Sequence, residues 1–532
     1  MRENAAQEVD QLVDGFLEHH FRFRPVDATF MGIKGHDDRL PPSDPEAPQR
    51  EAEELAALQK RFASLEQPKA VGAYLDYTIL SSQLKHRVRE LRERSQYKDP
   101  SWYSSETAFA IISLLLPSAN DATSDQVHAR LGAIPAYLDG GRAHLAGASA
   151  HPDWVERARK ECRAMIRFLG GEMRLHPLWR DGMSGDAERA ASALAMFDVA
   201  MASVGPADPA CGADYLAFIF RDVHQLNISM EEAEVRASER FAKLGEEIVA
   251  SARAIDPEKS WRDLLVSLDR ERPSVSDMAD SYRRWHDKVM AGAGHLVTPA
   301  TEYGLSFERL PTWARNVSAD TYFLSYRSPP AHHAGSGSIY WVNGDGQNLS
   351  TVKQTHAIHH ASIGHHTHNA RARVSPSRLA RLAETGVARG VAFLSAGTTG
   401  EGWACHAQHL AAEIPGILNR IETEIMLKDM ERRNAGAVLA DIRLHTGRWT
   451  LAEMRRFYSE EGGFGAGRVW GETTRNSIFP GTRIMYWLGQ EAIREARAAW
   501  TGTDRDFHDR LISYGHPTMN AALEAMKRES AA

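Results

Sequence analysis

The chain reads as a mainly α protein with one short β element. Three observations predict this. Apolar residues recur at spacings of three and four along most of the 532 residues; aromatic and β-branched residues gather in short Gly- and Pro-bounded runs only between about 296 and 350; and helical spacing resumes beyond a histidine-rich stretch.

In chain order, residues 6–20, 48–66, 71–95 and 126–147 place Glu, Lys and Arg between their apolar positions, as amphipathic helices require. The pattern continues through 153–170, 187–203, 212–224, 230–254, 260–270 and 276–294, with clusters such as SVGPADPACG between segments. TEYGLSFERLP, TYFLSYRSPP and GSIYWVNG then predict a small sheet. Beyond the histidines, EGWACHAQHLAAEI, ILNRIETEIMLKDMERRNAGAVLADIRLH, TLAEMRRFYSEE and IMYWLGQEAIREARAAW return to helices. The change of texture divides the chain into a helical region, 1–295, and a region bearing the chemistry, 296–532, expected to form one continuous globular unit.

Composition excludes several function classes. A net charge of −7 over so long a chain sets up no field that would gather nucleic acid or an anionic membrane surface. Three distant cysteines, Cys162, Cys211 and Cys405, build neither a disulfide framework nor a Cys-type zinc finger. MRENAAQEVDQLVDGFLEHHFRFRP has no apolar core behind a basic start, and the longest apolar run, AFAIISLLLP, is too short to span a bilayer. The expectation is a soluble, cytoplasmic protein with neither nucleic acid nor membrane as partner. Its oligomeric state, a homodimer included, is left open.

The chemistry concentrates in QTHAIHHASIGHHTHNA, residues 354–370, which holds His356, His359, His360, His365, His366 and His368. One histidine alone is more often a satisfied core or surface residue than a ligand; six so close together point to a divalent metal, since neutral imidazole binds zinc, iron and manganese well. On an unbroken helix, His356 and His360 share a face at i, i+4, whereas His359 and His365 point about 120° apart. Gly364 supplies a break that would bring that second pair together. A third ligand is needed from elsewhere. Glu401 stands where TTG leads into the helix of EGWACHAQ, a position that helix capping also favours.

HHASIGHH, EGWACHAQ, DIRLH and TRNSIFPGTRIMYWLG together resemble the motifs of the bacterial domain-of-unknown-function 885 family. FRFRPVDATFMGIKGHDDRLP and FHDRLISYGHP extend the likeness over nearly the whole chain. The family is similar to the helical zincin metallopeptidases, so the resemblance implies a large helical zincin-like scaffold with a small sheet beside the metal-site helix. It implies His359, His365 and Glu401 as metal ligands, with His366 adjacent as an alternative, whereas unbroken-helix geometry favours His356 and His360. Zinc is the first expectation for the ion, with iron or manganese behind it. It also implies that His445, Arg475 and Tyr486 face the substrate, where Arg would grip a carboxylate and Tyr or His would stabilise an oxyanion. An ion pair of Arg475 with Glu472 is the plainer reading of that arginine.

The family pattern is HExxPGHH followed by EGWAxYxE, and this chain departs from it at four positions: His360 for Glu, Ile363 for Pro, His406 for Tyr and Gln408 for the last Glu. The first departure removes the acid that takes a proton from the attacking water in zincin chemistry. His360 becomes the candidate catalytic group or an extra ligand. The expected activity is that of a metal-dependent hydrolase cleaving an amide or peptide-like bond in a small, carboxylate-bearing substrate. The alternatives are non-haem iron redox or lyase chemistry, or a catalytically silent relative. GSIYWVNG reads either as an edge strand along which an extended substrate would lie or as a structural hairpin.

Overall fold

The computed structural model describes residues 2–117, 121–273, 278–320, 326–328, 331, 337–342 and 347–530. The chain forms two compact units, Met1–Pro209 with Arg309–Ile339 and Thr385–Ala392, and Ala210–Glu308 with Tyr340–Glu384 and Phe393–Ala532. The compositional boundary at 295/296 falls inside the second unit.

The first unit holds long helices at Arg2–Phe23, Ala47–Phe62, Val71–Glu93, Ser124–Leu145, Pro152–Gly170 and Ser184–Ala200, which overlap amphipathic segments read above, and at Pro100–Leu115, which overlaps none of them. The long apolar run lies in Pro100–Leu115, which is buried at every position. Asp99 caps that helix by accepting from the Ser101 amide, and Pro100 costs it nothing in the first turn. Among these helices Glu51 is fully buried, and its carboxylate accepts from Arg24, Arg87, Gln96 and Tyr97 at 2.8–3.0 Å. A buried charge is tolerable only when satisfied in this way.

In the second unit, helices Met230–Ile255, Leu427–His445 and Ile484–Ala499 bury a shared apolar face. Ala233 and Ala237 meet Ala435, Val438, Leu439 and Ile442, and Ile484, Trp487 and Leu488 close the cluster. These are the three-and-four spacings of the sequence, turned into packing worth about 1.5–3 kcal/mol for each large side chain buried.

The predicted β element is present as strands Leu305–Arg309 and Ser338–Val342. TYFLSYRSPP, apart from residues 326–328, lies outside the described residues. Ser338–Val342 pairs with Leu305–Arg309 in a small sheet. Its Tyr340 is fully buried, stacked on Phe307 and directed to the histidine segment.

Candidate metal centre

The histidine segment is helical but wound wide and broken. Residues Val352–His360 form a π-helix, a second π-turn covers Ser362–His366, and an α-helix runs from Thr367 to Ala372. Between the turns Ser362 takes a positive φ of 24° and Gly364 leaves helical dihedrals (φ −76°, ψ −130°). A Cβ at 364 would collide with the carbonyls of Ile358 and His359, so only glycine fits. Side chains satisfy the polar groups freed by the break. The Ser362 amide donates to His286 Nδ1 (3.0 Å), Thr367 Oγ1 donates to the Ser362 carbonyl (2.6 Å), and Trp403 Nε1 donates to the carbonyl of Ile363 (2.9 Å).

The break decides which histidines meet. His359 and His365 come together at 5.0 Å between ring centroids and 82° between planes. Their Nε2 atoms lie 3.4 and 3.6 Å from the same oxygen, Glu401 Oε2, on helix Gly397–Leu410. The three ligand atoms lie within 4.8 Å of one another. Zinc–ligand bonds of about 2.0–2.2 Å in a tetrahedron separate ligand atoms by roughly 3.3–3.6 Å, so the spacing suits one ion. Glu401 Oε2 is itself buried and accepts no hydrogen bond among the described residues. An orphaned carboxylate oxygen beside two imidazole nitrogens is the donor set a divalent cation completes.

Each member of the set is held from behind. Tyr486 donates its hydroxyl to Glu401 Oε1 (2.9 Å). Gln408 Oε1 lies 3.3 Å from His359 Nδ1, while its amide nitrogen donates to the Gln354 carbonyl. Glu384 Oε1 lies 2.9 Å from His365 Nδ1. Burial opposes charge on His365, but Glu384 and Glu401 outweigh it and push its pKa up to about 10; Glu401, despite its burial, is held well below the usual carboxylate range by His359 and His365. A bound cation would supply positive charge here by displacing a proton.

The remaining histidines are placed elsewhere. His360 Nδ1 lies 2.8 Å from the Tyr340 hydroxyl, which is also 2.5 Å from His356 Nδ1. His356 is stacked on Tyr282 at 4.6 Å, and burial holds it down at about 4. His366 packs edge-on to His286, with its pKa held near 3 by burial first and His286 second. His368 bonds the Gly515 carbonyl. The unbroken-helix pair, His356 and His360, is joined through Tyr340 rather than around a common point, because the helix on which that spacing rests is π-wound.

Among the downstream candidates, Tyr486 touches Glu401. Arg475 lies on helix Ala466–Ile478, half-buried and close enough to Tyr486 for its charge to favour the phenolate. It makes no side-chain hydrogen bond or ion pair among the described residues, and Glu472 pairs with Arg483 instead (3.7 Å). His445 is fully buried, with Nε2 bonded to the Asn476 carbonyl (3.1 Å) and 3.3 Å from Asp441. His406, at the Tyr position of the motif, pairs with His508 at 3.0 Å. Glu384 and Tyr340 escape the sequence reading because neither sits at a motif spacing; the only signal was an aromatic strand just before the histidines.

Residues 25–526 match the family described as bacterial protein of unknown function DUF885. The chain belongs to the DUF885 family. Among solved structures, this DUF885 protein is similar to a candidate lipoprotein of unknown function from Shewanella oneidensis, at 16% identity and a TM-score of 0.75, covering 98% of this chain and 99% of that one. It is also similar to a candidate lipoprotein from Colwellia psychrerythraea, at 15% identity and a TM-score of 0.72, covering 99% of each. At such identities the likeness is one of fold. No curated protein matches the chain.

These relatives overturn the cytoplasmic expectation, because lipoproteins are anchored at a membrane outside the cytoplasm. A low cysteine count does not fix the compartment. The three thiols are free, Cys162 and Cys405 buried, and a large helical core needs no disulfide in either compartment. Among the described residues no helix is long and apolar enough to cross a membrane.

Proposed function

We propose that this DUF885 protein is a metal-dependent hydrolase on a metallopeptidase-like scaffold, cleaving an amide or peptide-like bond in a small, carboxylate-bearing substrate. The observation that carries the reading is the orphaned Glu401 Oε2 beside the Nε2 atoms of His359 and His365. These three residues would hold the ion, zinc in the first place, with iron or manganese as the other candidates. A divalent ion supplies Lewis acidity to a carbonyl and acidifies the attacking water.

The chain's own residues do the rest. Arg475, with no hydrogen-bond or ion-pair partner among the described residues, receives the substrate carboxylate through two parallel bonds. Tyr486 fixes the orientation of Glu401. For His360 the hydrogen-bond count selects a tautomer. His356 Nε2 is buried without a partner, and a bare lone pair there is cheaper than an orphaned N–H. His356 Nδ1–H then donates to the Tyr340 oxygen, Tyr340 donates to His360 Nδ1, and His360 keeps its proton on Nε2. Beside the rings of His359 and His365, that N–H is a donor to the oxygen that gains charge as a carbonyl is attacked, a role different from the proton acceptance of the missing carboxylate. His445 and Asp441 act as support, Asp441 accepting the Arg483 amide (3.0 Å) and so fixing the turn between Arg475 and Tyr486.

A second reading, non-haem iron chemistry, is favoured by the set of two histidines and one carboxylate and by the absence of an acid at position 360. One experiment separates the two: elemental analysis of protein purified without added metal, with turnover of N-acyl amino acids and dipeptides assayed with and without oxygen. The hydrolase reading expects one equivalent of zinc, oxygen-independent cleavage, and loss of both in His359→Ala. Full turnover by metal-free protein, or iron with oxygen-dependent turnover, overturns it.

A further inference from the structure

We infer that Glu384 is a positioning residue that sets the metal affinity of the site through His365, an inference that rests on the metal reading above. Its carboxylate is nearly buried, at 6% side-chain exposure, and Oε1 meets His365 Nδ1 at 2.9 Å. The other oxygen lies 3.2 Å from His516 Nε2. His516 is deeply buried; that burial, with His368 and His365 adding to it, drives its pKa well below the ordinary value and keeps it neutral. His516 Nε2 is also 3.0 Å from Asn369 Oδ1, which makes it the N–H that Asn369 accepts. No Lys or Arg pairs with Glu384 among the described residues. A buried carboxylate whose other neighbour is neutral directs its charge at His365, whose Nδ1–H it accepts at 2.9 Å.

The fold also makes room for it. On the metal-site helix, a Cβ at Gly400 would collide with Glu384 Oε1 and Cδ, so the residue preceding Glu401 leaves the gap through which the carboxylate reaches His365. The three ligands thus have three different partners: a hydroxyl on Glu401, a neutral amide on His359 and a full carboxylate on His365. A carboxylate bonded to the far nitrogen fixes the tautomer that exposes Nε2 to an ion and makes that nitrogen a stronger donor, whereas an amide fixes orientation only. His365 is the ligand that dominates affinity.

Zn2+ titration of metal-free protein against a chromophoric chelator tests this. Glu384→Gln keeps the shape and loses the charge, and a 10- to 100-fold weaker Zn2+ affinity is expected, the usual cost of a lost outer partner. Gly400→Ala, which displaces the carboxylate without changing its charge, is expected to weaken binding as well. In histidine-labelled, Zn2+-loaded wild type, the His365 Nδ1 proton should appear strongly deshielded. Wild type that binds no Zn2+ overturns the metal reading itself. Wild type that binds while Glu384→Gln stays within threefold of it overturns the role of Glu384, as does the absence of the deshielded proton should the variants fail to fold.

Discussion

Two arginines near the candidate site illustrate how alike residues diverge once their partners are known. Arg483 donates its backbone amide to Asp441, pairs with Glu472, and lies 4.7 Å over the Tyr486 ring. Arg475 has no side-chain hydrogen bond or ion pair among the described residues. Arg475→Ala is therefore expected to leave the melting temperature nearly unchanged, within about 0.5 kcal/mol, while abolishing turnover of a carboxylate-bearing substrate. Arg483→Ala, which strands a buried charge network, is expected to cost about 3 kcal/mol in denaturant unfolding. Equal losses of stability would place both arginines in the structural frame. Sequence alone ranked Arg475 against an ion pair with Glu472 and had no means to choose, because residues three apart on a helix are neighbours in every fold. Which cation Glu472 pairs with depends on a turn eight residues further on.

The same limit applies to whole elements. Helices Gly397–Leu410 and Ile484–Ala499 approach closely enough that a Cβ on Gly402 would meet the backbone of Gly489, and one on Gly489 would meet the Thr398 carbonyl. That closeness puts Tyr486 within reach of Glu401. Gly489→Ala is expected to push the helices apart, destabilise the protein by about 1–3 kcal/mol as overpacking does, and weaken Zn2+ binding although it touches no ligand. Unchanged Zn2+ affinity would show that the Tyr486 contact is not set by this interface. The existence of these helices was legible in their spacing. The winding of the histidine segment was not: a π-turn carries no distinct apolar period, and Gly364 signals a break without stating its geometry.

For the molecule as a whole, acid stability follows from histidines buried without charge. His286 accepts the Ser362 amide and burial holds its pKa down at about 4; His368, bonded to Gly515, is held near 3 by the same cause. Both sit below the unfolded value of about 6.5, so the unfolded chain takes up protons first as the pH falls. Their contribution is complete above pH 6.5 and is lost as the pH drops toward 4, and melting curves between pH 7 and 4 should fall accordingly. A melting temperature flat over that range would contradict it. Metal removal acts on the same scale: the stripped protein should keep its helical circular dichroism, since the break is held by Trp403, Thr367 and His286. Saturating Zn2+ should raise its stability by about 2.7 kcal/mol at a hundredfold excess over Kd.

Read by itself, the sequence determined the mainly helical class, the place of the small sheet, the family and the residues from which a metal set would come. These depend on local periodicity and motif, which survive without knowledge of packing. The tertiary structure decided which histidines converge, because the candidate ligand pair is made by a backbone break rather than by helical spacing. It also decided which side chains stand behind them, because Glu384, Gln408, Tyr340 and Tyr486 reach the site from separate segments whose approach is set by packing alone.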